Sequence, residues 1–222
     1  MIRCCIFDLD GTLINTVAAL KRTTNLVLDR FGCSHVEDAD IKRIVGDGFR
    51  NQVKRALAIS GDPDLIHYEE AAAIYPKIFA ENCLYKICAY DGICELLEGL
   101  KARGFLVAVL TNKPHDRAVE NLDTVFGKGY FDYVLGEQPG IPKKPDPAGV
   151  HHVLNALGVR KEECLYFGDT NTDMRTGLGA GLTTVGVTWG FRGREELEAF
   201  HPQYVIDYPK QVFEMILNHK NE

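Results

Sequence analysis

The period of the hydrophobic pattern changes along this chain of 222 residues, and that change constrains the fold more than any other feature. Residues 3–8 form a short, mostly apolar run that ends in an aspartate and predicts a buried strand. Between about residues 15 and 85 the apolar residues recur at helical spacing, and no strand is predicted. From about residue 90 onward, predicted helices and strands alternate. The chain therefore divides into a helical segment and an alternating segment.

The alternating segment is typical of a parallel sheet with right-handed crossovers and helices on both faces. Its predicted strands are 105–110, 133–135, 165–167, 184–187 and 204–206, and its predicted helices are 93–102, 114–126, 148–157, 172–180 and 211–219. We predict an α/β fold in which residues 1–14 and 87–222 form a Rossmann-like parallel sheet core.

The helical segment, residues 15–86, is predicted to be an all-helical cap inserted after the first strand. Its helical stripes cover residues 17–31, 49–57 and 68–79. Pro76 lies inside the third stripe and predicts a kink or a break there.

Three predicted strands end in residues suited to phosphate or metal binding: Asp8, Thr111 and Asp169. Ligands of open parallel sheets bind at the carboxyl ends of the strands. Because these residues are far apart in sequence, they meet only if their strands are neighbours in the sheet. We therefore predict one reaction centre at that edge.

Asp8 and Asp10 follow the first strand directly and precede Gly-Thr. A carboxylate at such a boundary is partly desolvated, which costs free energy unless a cation or strong donors satisfy it. A carboxylate can act as a covalent nucleophile toward phosphorus. A second carboxyl group nearby can protonate the leaving oxygen and then deprotonate the hydrolytic water. Two further Asp-x-Asp pairs lie in polar stretches where aspartates cap helices and form turns: Asp38/Asp40 and Asp62/Asp64.

Two other segments supply groups that bind phosphoryl oxygens. Thr111 and Asn112 offer a hydroxyl and a backbone amide just before a predicted helix that Pro114 opens, and the amino end of that helix favours an anion. Lys144 lies in a loop stiffened by three prolines and can offset phosphate charge. The sequence leaves open whether Lys143 could replace it.

Asp169 and Asp173 complete the predicted site. Hard oxygen ligands beside a phosphate favour Mg²⁺ over zinc or calcium. We expect Asp8 and Asp169 to bind the ion directly. Asp173 is predicted to orient Lys144 or a metal-bound water, with helix capping as the alternative.

Composition restricts the partners. A formal net charge of −6 without clustered positive charge gives no reason to expect nucleic acid. No stretch approaches the roughly 20 apolar residues of a membrane span. Seven cysteines without a C-x-x-C pair indicate reduced thiols, so we predict a cytoplasmic protein.

The chain resembles the haloacid dehalogenase-like superfamily of phosphatases over nearly its whole length. The resemblance rests on four segments: Asp8-Leu9-Asp10-Gly11-Thr12, Leu110-Thr111-Asn112-Lys113, Lys144-Pro145 and Gly168-Asp169-Thr170-Asn171-Thr172-Asp173. It implies that Asp8 is the nucleophile and Asp10 the general acid/base, while Thr111 and Lys144 hold the phosphoryl group. It also implies that Mg²⁺ lies between Asp8, the backbone carbonyl of Asp10, and Asp169.

Within the superfamily the chain resembles phosphoglycolate phosphatases. Three segments carry this likeness: Val45-Gly46-Asp47-Gly48, Thr111-Asn112-Lys113-Pro114 and Val185-Gly186-Val187-Thr188-Trp189-Gly190. It implies a small phosphorylated metabolite as substrate, 2-phosphoglycolate or a similar compound, with substrate contacts from the cap. Arg50 is the candidate cap residue for a substrate anion, with a solvated helix face as the alternative.

Several readings stay open on the sequence alone. A pyrophosphatase, a sugar-phosphate phosphatase and a phosphomutase of the same superfamily share these motifs. The non-enzyme alternative is a catalytically silent phosphate-binding regulator. We expect no nucleic acid or membrane partner, and a monomer or homodimer. The natural substrate and the resting position of the cap are not determined by the sequence.

Overall fold

The computed structural model describes residues 1–218, which form a six-stranded parallel sheet with helices on both faces and a further group of four helices. The strands are β1 (Cys4–Phe7), β2 (Ile14–Asn15), β3 (Cys88–Ala89), β4 (Leu106–Pro114), β5 (Tyr133–Glu137), β6 (Cys164–Gly168), β7 (Thr183–Val187) and β8 (Tyr204–Ile206). The helices are α1 (Val17–Asp29), α2 (Asp38–Ile44), α3 (Phe49–Ile59), α4 (Tyr68–Asn82), α5 (Ile93–Ala102), α6 (His115–Phe126), α7 (Ala148–Leu157), α8 (Asn171–Gly179), α9 (Arg194–Glu198) and α10 (Gln211–Asn218).

The sheet has the strand order β5-β4-β1-β6-β7-β8, and every neighbouring pair is parallel. The sequence of β1 does not alternate between polar and apolar residues because both faces of this strand are covered. Cys5 and Phe7 pack into one apolar layer with α5, α6 and α10, whereas Cys4 and Ile6 pack into the opposite layer with α7. All four side chains are buried, as expected of a parallel strand covered on both faces. The predicted α/β class is confirmed.

Helices α1 to α4 surround an apolar core of their own, and we call this group the cap. The chain enters and leaves the cap through β2 and β3, which pair antiparallel with Asn15 opposite Cys88. The predicted boundaries at 14/15 and 86/87 stay a prediction.

Two short helices were not predicted from the sequence. Helix α2 buries only Ile41 and Ile44, and α9 buries only Leu197, so neither shows a clear apolar stripe. Helix α4 continues through Pro76, so of the predicted kink or break the break is absent and the kink stays a prediction. A proline removes one backbone hydrogen bond, and packing can still hold the helix together.

At the carboxyl end of the chain, the predicted extension of α10 to residue 219 lies outside the described residues. Within residues 1–218, no helix is both long enough and apolar enough to cross a bilayer.

Candidate active site

The carboxyl ends of three adjacent strands bring the predicted site residues together. Strand β1 lies between β4 and β6, with Phe7 opposite Val109 on one side and Phe167 on the other. Asp8 and Asp169 directly follow β1 and β6, whereas Thr111 lies within β4, which continues to Pro114 instead of ending at residue 110 as predicted. All three residues still occupy one edge of the sheet, at neighbouring positions. The expectation that these strands are neighbours is confirmed.

The Asp8 carboxylate is 7% exposed, and its Oδ1 atom lies 2.8 Å from the Lys144 ammonium. Burial raises the pKa of Asp8 to about 7, the carboxylates of Asp173 and Asp10 add to the rise, and Lys144 opposes it. Oδ1 receives no well-directed hydrogen bond from the described residues. A buried carboxylate with this incomplete compensation favours a cation or a proton.

Lys144 is held between two carboxylates. Its Nζ atom lies 2.7 Å from Asp173 Oδ1 as well as 2.8 Å from Asp8 Oδ1. Burial lowers the pKa of Lys144, but the carboxylates of Asp173 and Asp8 outweigh it and hold the pKa well above its usual value. The ammonium is therefore charged. Lys143 instead pairs with Glu137 at 2.6 Å, so Lys144 is the lysine that faces Asp8.

The backbone of Lys144 is fixed by Asn112. The Asn112 side chain donates to the Lys144 carbonyl at 3.0 Å and accepts from the Lys144 amide at 2.9 Å. This use of the side chain leaves the backbone amide as the group of Asn112 that is available to a phosphoryl oxygen. The predicted phosphate-binding role of Asn112 stays a prediction.

Asp173 combines the two roles considered for it. It belongs to a capping box with Thr170, and its Oδ2 accepts the Thr170 hydroxyl at 2.5 Å. Its Oδ1 accepts the Tyr166 hydroxyl at 3.1 Å and contacts the Lys144 ammonium. Because one of its oxygens pairs with the Lys144 ammonium while the other is held by Thr170 in the capping box, Asp173 is placed to orient Lys144.

Asp169 is completely buried at the end of β6. Its Oδ1 accepts the Thr12 hydroxyl and its Oδ2 accepts the Phe191 amide, both at 2.8 Å. Burial raises the pKa of Asp169 well above its usual value, and the carboxylates of Asp173 and Asp8 add to the rise. Gly11 makes this packing possible, because a Cβ there would lie 2.2 Å from Asp169 Oδ2 and its φ is +88°.

These carboxylates fit a divalent cation. Oxygens of Asp8, Asp169 and Asp173 lie within 4.8 Å of one another, and all three residues are buried. Burial and mutual repulsion disfavour their charged forms, and a cation between them would relieve both effects. The donor set contains only oxygen, which suits a hard ion.

Asp10 has an unexpected partner. The Lys113 ammonium lies 2.8 Å from Asp10 Oδ1, and the side chains are 2% and 16% exposed, respectively. The sequence analysis gave Lys113 no role, although it directly follows Thr-Asn at the end of β4. Its position after two candidate phosphate ligands was the available signal.

The site opens into a cavity of about 320 Å³ between the core and the cap. Asp8, Asp10, Thr111, Lys113 and Lys144 line its core side. The cap side is mostly apolar, with residues from α1, α3 and α4. Arg50 is exposed, lies near the Phe49 ring and does not line this cavity. Its predicted substrate contact stays a prediction without support from this geometry.

A family model described as haloacid dehalogenase-like hydrolase matches residues 5–187. The chain belongs to the haloacid dehalogenase-like hydrolases. A phosphoglycolate phosphatase of Pseudomonas putida is 32% identical over 208 residues, covering 92% of this chain and 76% of that protein. A phosphoglycolate phosphatase of Aquifex aeolicus is 30% identical and covers 98% of each chain. A solved structure from Lactobacillus delbrueckii subsp. bulgaricus has a TM-score of 0.89 at 29% identity, covering 96% of this chain and 98% of that one.

This haloacid dehalogenase-like hydrolase is therefore an enzyme of the phosphatase type. Sequence reasoning found its carboxylates but missed a loop that connects them to the cap. The Phe191 amide binds Asp169, while the Phe191 ring packs into the core of the cap. Next to it, Arg192 donates to the backbone carbonyls of Lys42, Arg43 and Val45 at the end of α2. No local pattern marks such contacts, because the partners lie about 150 residues away.

Proposed function

We propose that this chain is a Mg²⁺-dependent phosphomonoesterase that works through an aspartyl-phosphate on a small phosphorylated acid, 2-phosphoglycolate or a close analogue. The observation that carries the proposal is the buried Asp8 carboxylate beside the Lys144 ammonium and close to Asp169, at the floor of a cavity. The similarity to phosphoglycolate phosphatases of bacteria supports the substrate class.

In the first half-reaction, Asp8 attacks the phosphorus atom and the bond to the ester oxygen breaks. Asp10 gives its proton to that leaving oxygen, so the alcohol departs neutral. In the second half-reaction, Asp10 takes a proton from a water molecule, whose oxygen attacks the phosphorus of the aspartyl-phosphate. Inorganic phosphate leaves and the Asp8 carboxylate is restored. Lys144, the Thr111 hydroxyl and the Asn112 amide hold the phosphoryl oxygens.

Asp8, the backbone carbonyl of Asp10, and Asp169 would hold the Mg²⁺ ion, and Asp173 would keep Lys144 in place. When bound, the ion supplies positive charge that reduces repulsion between the phosphate and the carboxylates. Closure of the cap over the cavity would exclude water other than the nucleophile. A cytoplasmic location, and a monomer or homodimer, stay predictions.

The test is phosphate release from 2-phosphoglycolate with excess Mg²⁺ and with EDTA. We expect turnover with the ion and none after chelation. Asp8→Asn should reduce kcat by at least about a thousandfold because an amide is a poor nucleophile toward phosphorus. The matched control is Asp38→Asn, since Asp38 belongs to another Asp-x-Asp pair and forms an ion pair with the partly exposed Lys21. Residual activity of Asp8→Asn within tenfold of the parent, or an equal loss in Asp38→Asn, would contradict the assignment.

A further inference from the structure

Lys113 has more hydrogen-bonding capacity than its surroundings use. Its side chain is 2% exposed, and burying an ammonium is costly unless acceptors compensate. Among the described residues, the Asp10 carboxylate is the acceptor within hydrogen-bond distance of Nζ, and the Phe79 ring lies 5.2 Å away. An ammonium has three donors. Lys113 therefore has donors left for a ligand in the cavity that it lines.

The other two cations that line the cavity each contact two carboxylates. Lys144 bridges Asp8 and Asp173, at 2.8 and 2.7 Å. Arg117 holds Asp116 at 3.0 Å through Nη2, and its Nη1 atom holds Glu120 at 2.5 Å. Each of these two cations faces two carboxylates, whereas Lys113 faces one, so Lys113 is the cation whose charge is least compensated and best able to bind a further anion.

The cap side of the cavity does not provide a second candidate for binding this anion. Among the described residues that line the cavity from the cap, none is charged. The Gln52 amide donates to the Thr24 hydroxyl at 2.9 Å, and the remaining walls include Val45, Phe49 and Phe79. An anionic group of the substrate other than the phosphate is therefore recognised from the core side.

We propose that Lys113 determines substrate specificity by binding the carboxylate of a short phosphorylated carboxylic acid. The inference rests on the proposed function, in which Asp10 stands beside the leaving oxygen. In 2-phosphoglycolate one methylene separates that oxygen from the carboxylate, so an ammonium 2.8 Å from Asp10 is close to both. A substrate that lacks the carboxylate leaves the buried ammonium without a second partner and is disfavoured.

The test compares phosphonoacetate with methylphosphonate, two non-hydrolysable ligands that differ by the carboxylate. Calorimetric titration with excess Mg²⁺ gives Kd for each, and the ratio measures carboxylate recognition. We expect the wild type to prefer phosphonoacetate, and Lys113→Met to lower that preference by about 10- to 100-fold, the value of a charge-assisted hydrogen bond. Lys113→Arg keeps the positive charge and should retain most of the preference for phosphonoacetate. Lys113→Gln provides a second neutral variant if Lys113→Met does not fold.

Two variants serve as matched controls. Lys143→Met removes a neighbouring lysine that pairs with Glu137 outside the cavity lining, and Arg117→Met removes the competing cation. Both should keep the preference within about threefold, a change too small for the loss of a charge-assisted hydrogen bond. An unchanged preference in Lys113→Met, a lost preference in Arg117→Met, or no preference in the wild type would overturn the inference.

Kinetics separates this inference from the proposed function. The ratio of kcat/KM for 2-phosphoglycolate over ethyl phosphate should fall in Lys113→Met together with the binding preference. A wild type that prefers phosphonoacetate but hydrolyses neither ester refutes the phosphatase mechanism and leaves the role of Lys113 standing. A wild type that hydrolyses 2-phosphoglycolate, with the ratio unchanged in Lys113→Met, refutes the role of Lys113 alone.

Discussion

At the scale of single residues, Asp8 carries its carboxylate in surroundings that disfavour negative charge. Burial and the carboxylates of Asp173 and Asp10 raise its pKa to about 7, although Lys144 lies 2.8 Å away. The Lys144 ammonium also pairs with Asp173, so it does not fully compensate the cost of burying the Asp8 charge. The site is therefore preorganised to take up further positive charge, which is the property that binding of a cation and a phosphoryl group exploits.

The raised pKa of Asp8 predicts how stability depends on pH without metal. The folded state keeps a proton on Asp8 up to about pH 7, whereas the unfolded chain loses it near its ordinary pKa, so the folded state binds more protons between the two values. This group therefore makes the unfolding free energy fall as pH rises, by about 2 kcal/mol between about pH 5 and about pH 7. Above about pH 7 both states are ionised and the dependence ends.

Urea unfolding in EDTA across this pH range measures the effect. Other carboxylates have pKa shifts of the opposite sign, so the comparison is with Asp8→Asn, which lacks the titrating group. The wild-type curve should fall with pH relative to that of the variant. Parallel curves for the two proteins would contradict the raised pKa.

Reasoning from sequence succeeded at this scale where a residue follows directly from strand order. Asp8 and Asp169 meet because β1 and β6 are adjacent. It missed Lys113, because strand order alone does not show which way a long side chain points, and here the chain extends to Asp10. The substrate contact predicted at Arg50 stays a prediction, since Arg50 is exposed on α3 and does not line the cavity.

At the scale of elements, the loop before α9 connects the core to the cap. The last carbonyls of a helix lack partners within the helix, and its carboxyl end favours a cation. The Arg192 guanidinium lies at that end of α2 and donates to the carbonyls of Arg43 and Val45 at 3.1 and 2.9 Å. Arg192 therefore acts as a latch between the two parts of the molecule.

Arg192→Met should loosen the cap without changing the carboxylates of the site. Because hydrogen bonds to a charged group contribute about 1.5–3 kcal/mol, we expect faster hydrogen exchange over residues 38–45 and a KM raised by about tenfold. Mass spectrometry of exchanged peptides and steady-state kinetics measure the two effects.

Arg194→Met is the matched control, because Arg194 pairs with Glu198 and Asp207 within the core. It should leave exchange in residues 38–45 unchanged. Equal protection of α2 in Arg192→Met and the parent would argue against the latch.

The elements themselves were predicted with uneven success. Helices α5 and α7 begin and end as predicted, because each has a regular apolar stripe and a glycine beyond its end. Helix α2 was missed because it is stabilised by contacts from elsewhere, including Arg192, that leave no periodic signal in its seven residues.

At the scale of the whole molecule, Mg²⁺ should stabilise the fold. An ion that binds only the folded state stabilises it by about 2.7 kcal/mol at a concentration of about 100 Kd. For a chain of this size that corresponds to a rise in Tm of about 5–10 °C. Differential scanning fluorimetry with Mg²⁺ and with EDTA measures the change.

Asp169→Asn tests whether the effect comes from this site. It removes a charge from a proposed ligand while its oxygen can still accept from Thr12 or Phe191. The rise in Tm with Mg²⁺ should become much smaller in this variant. A rise equal to that of the wild type would place the ion elsewhere.

The whole fold was the most predictable level. Alternating elements fix a parallel sheet, and the change of hydrophobic period marks where the helices of the cap are inserted. The packing of cap on core was not predictable, because it depends on a few contacts between distant segments, such as the Phe191 ring within the cap.

The antiparallel ribbon of β2 and β3 has a consequence for engineering. Since Asn15 and Cys88 face each other, the inserted segment begins and ends at adjacent points, and another insert with similarly close termini could be grafted there without altering the strand order of the sheet. Such an insert would also have to provide an apolar surface that covers the Phe191 ring, because without the cap this ring would be exposed to water.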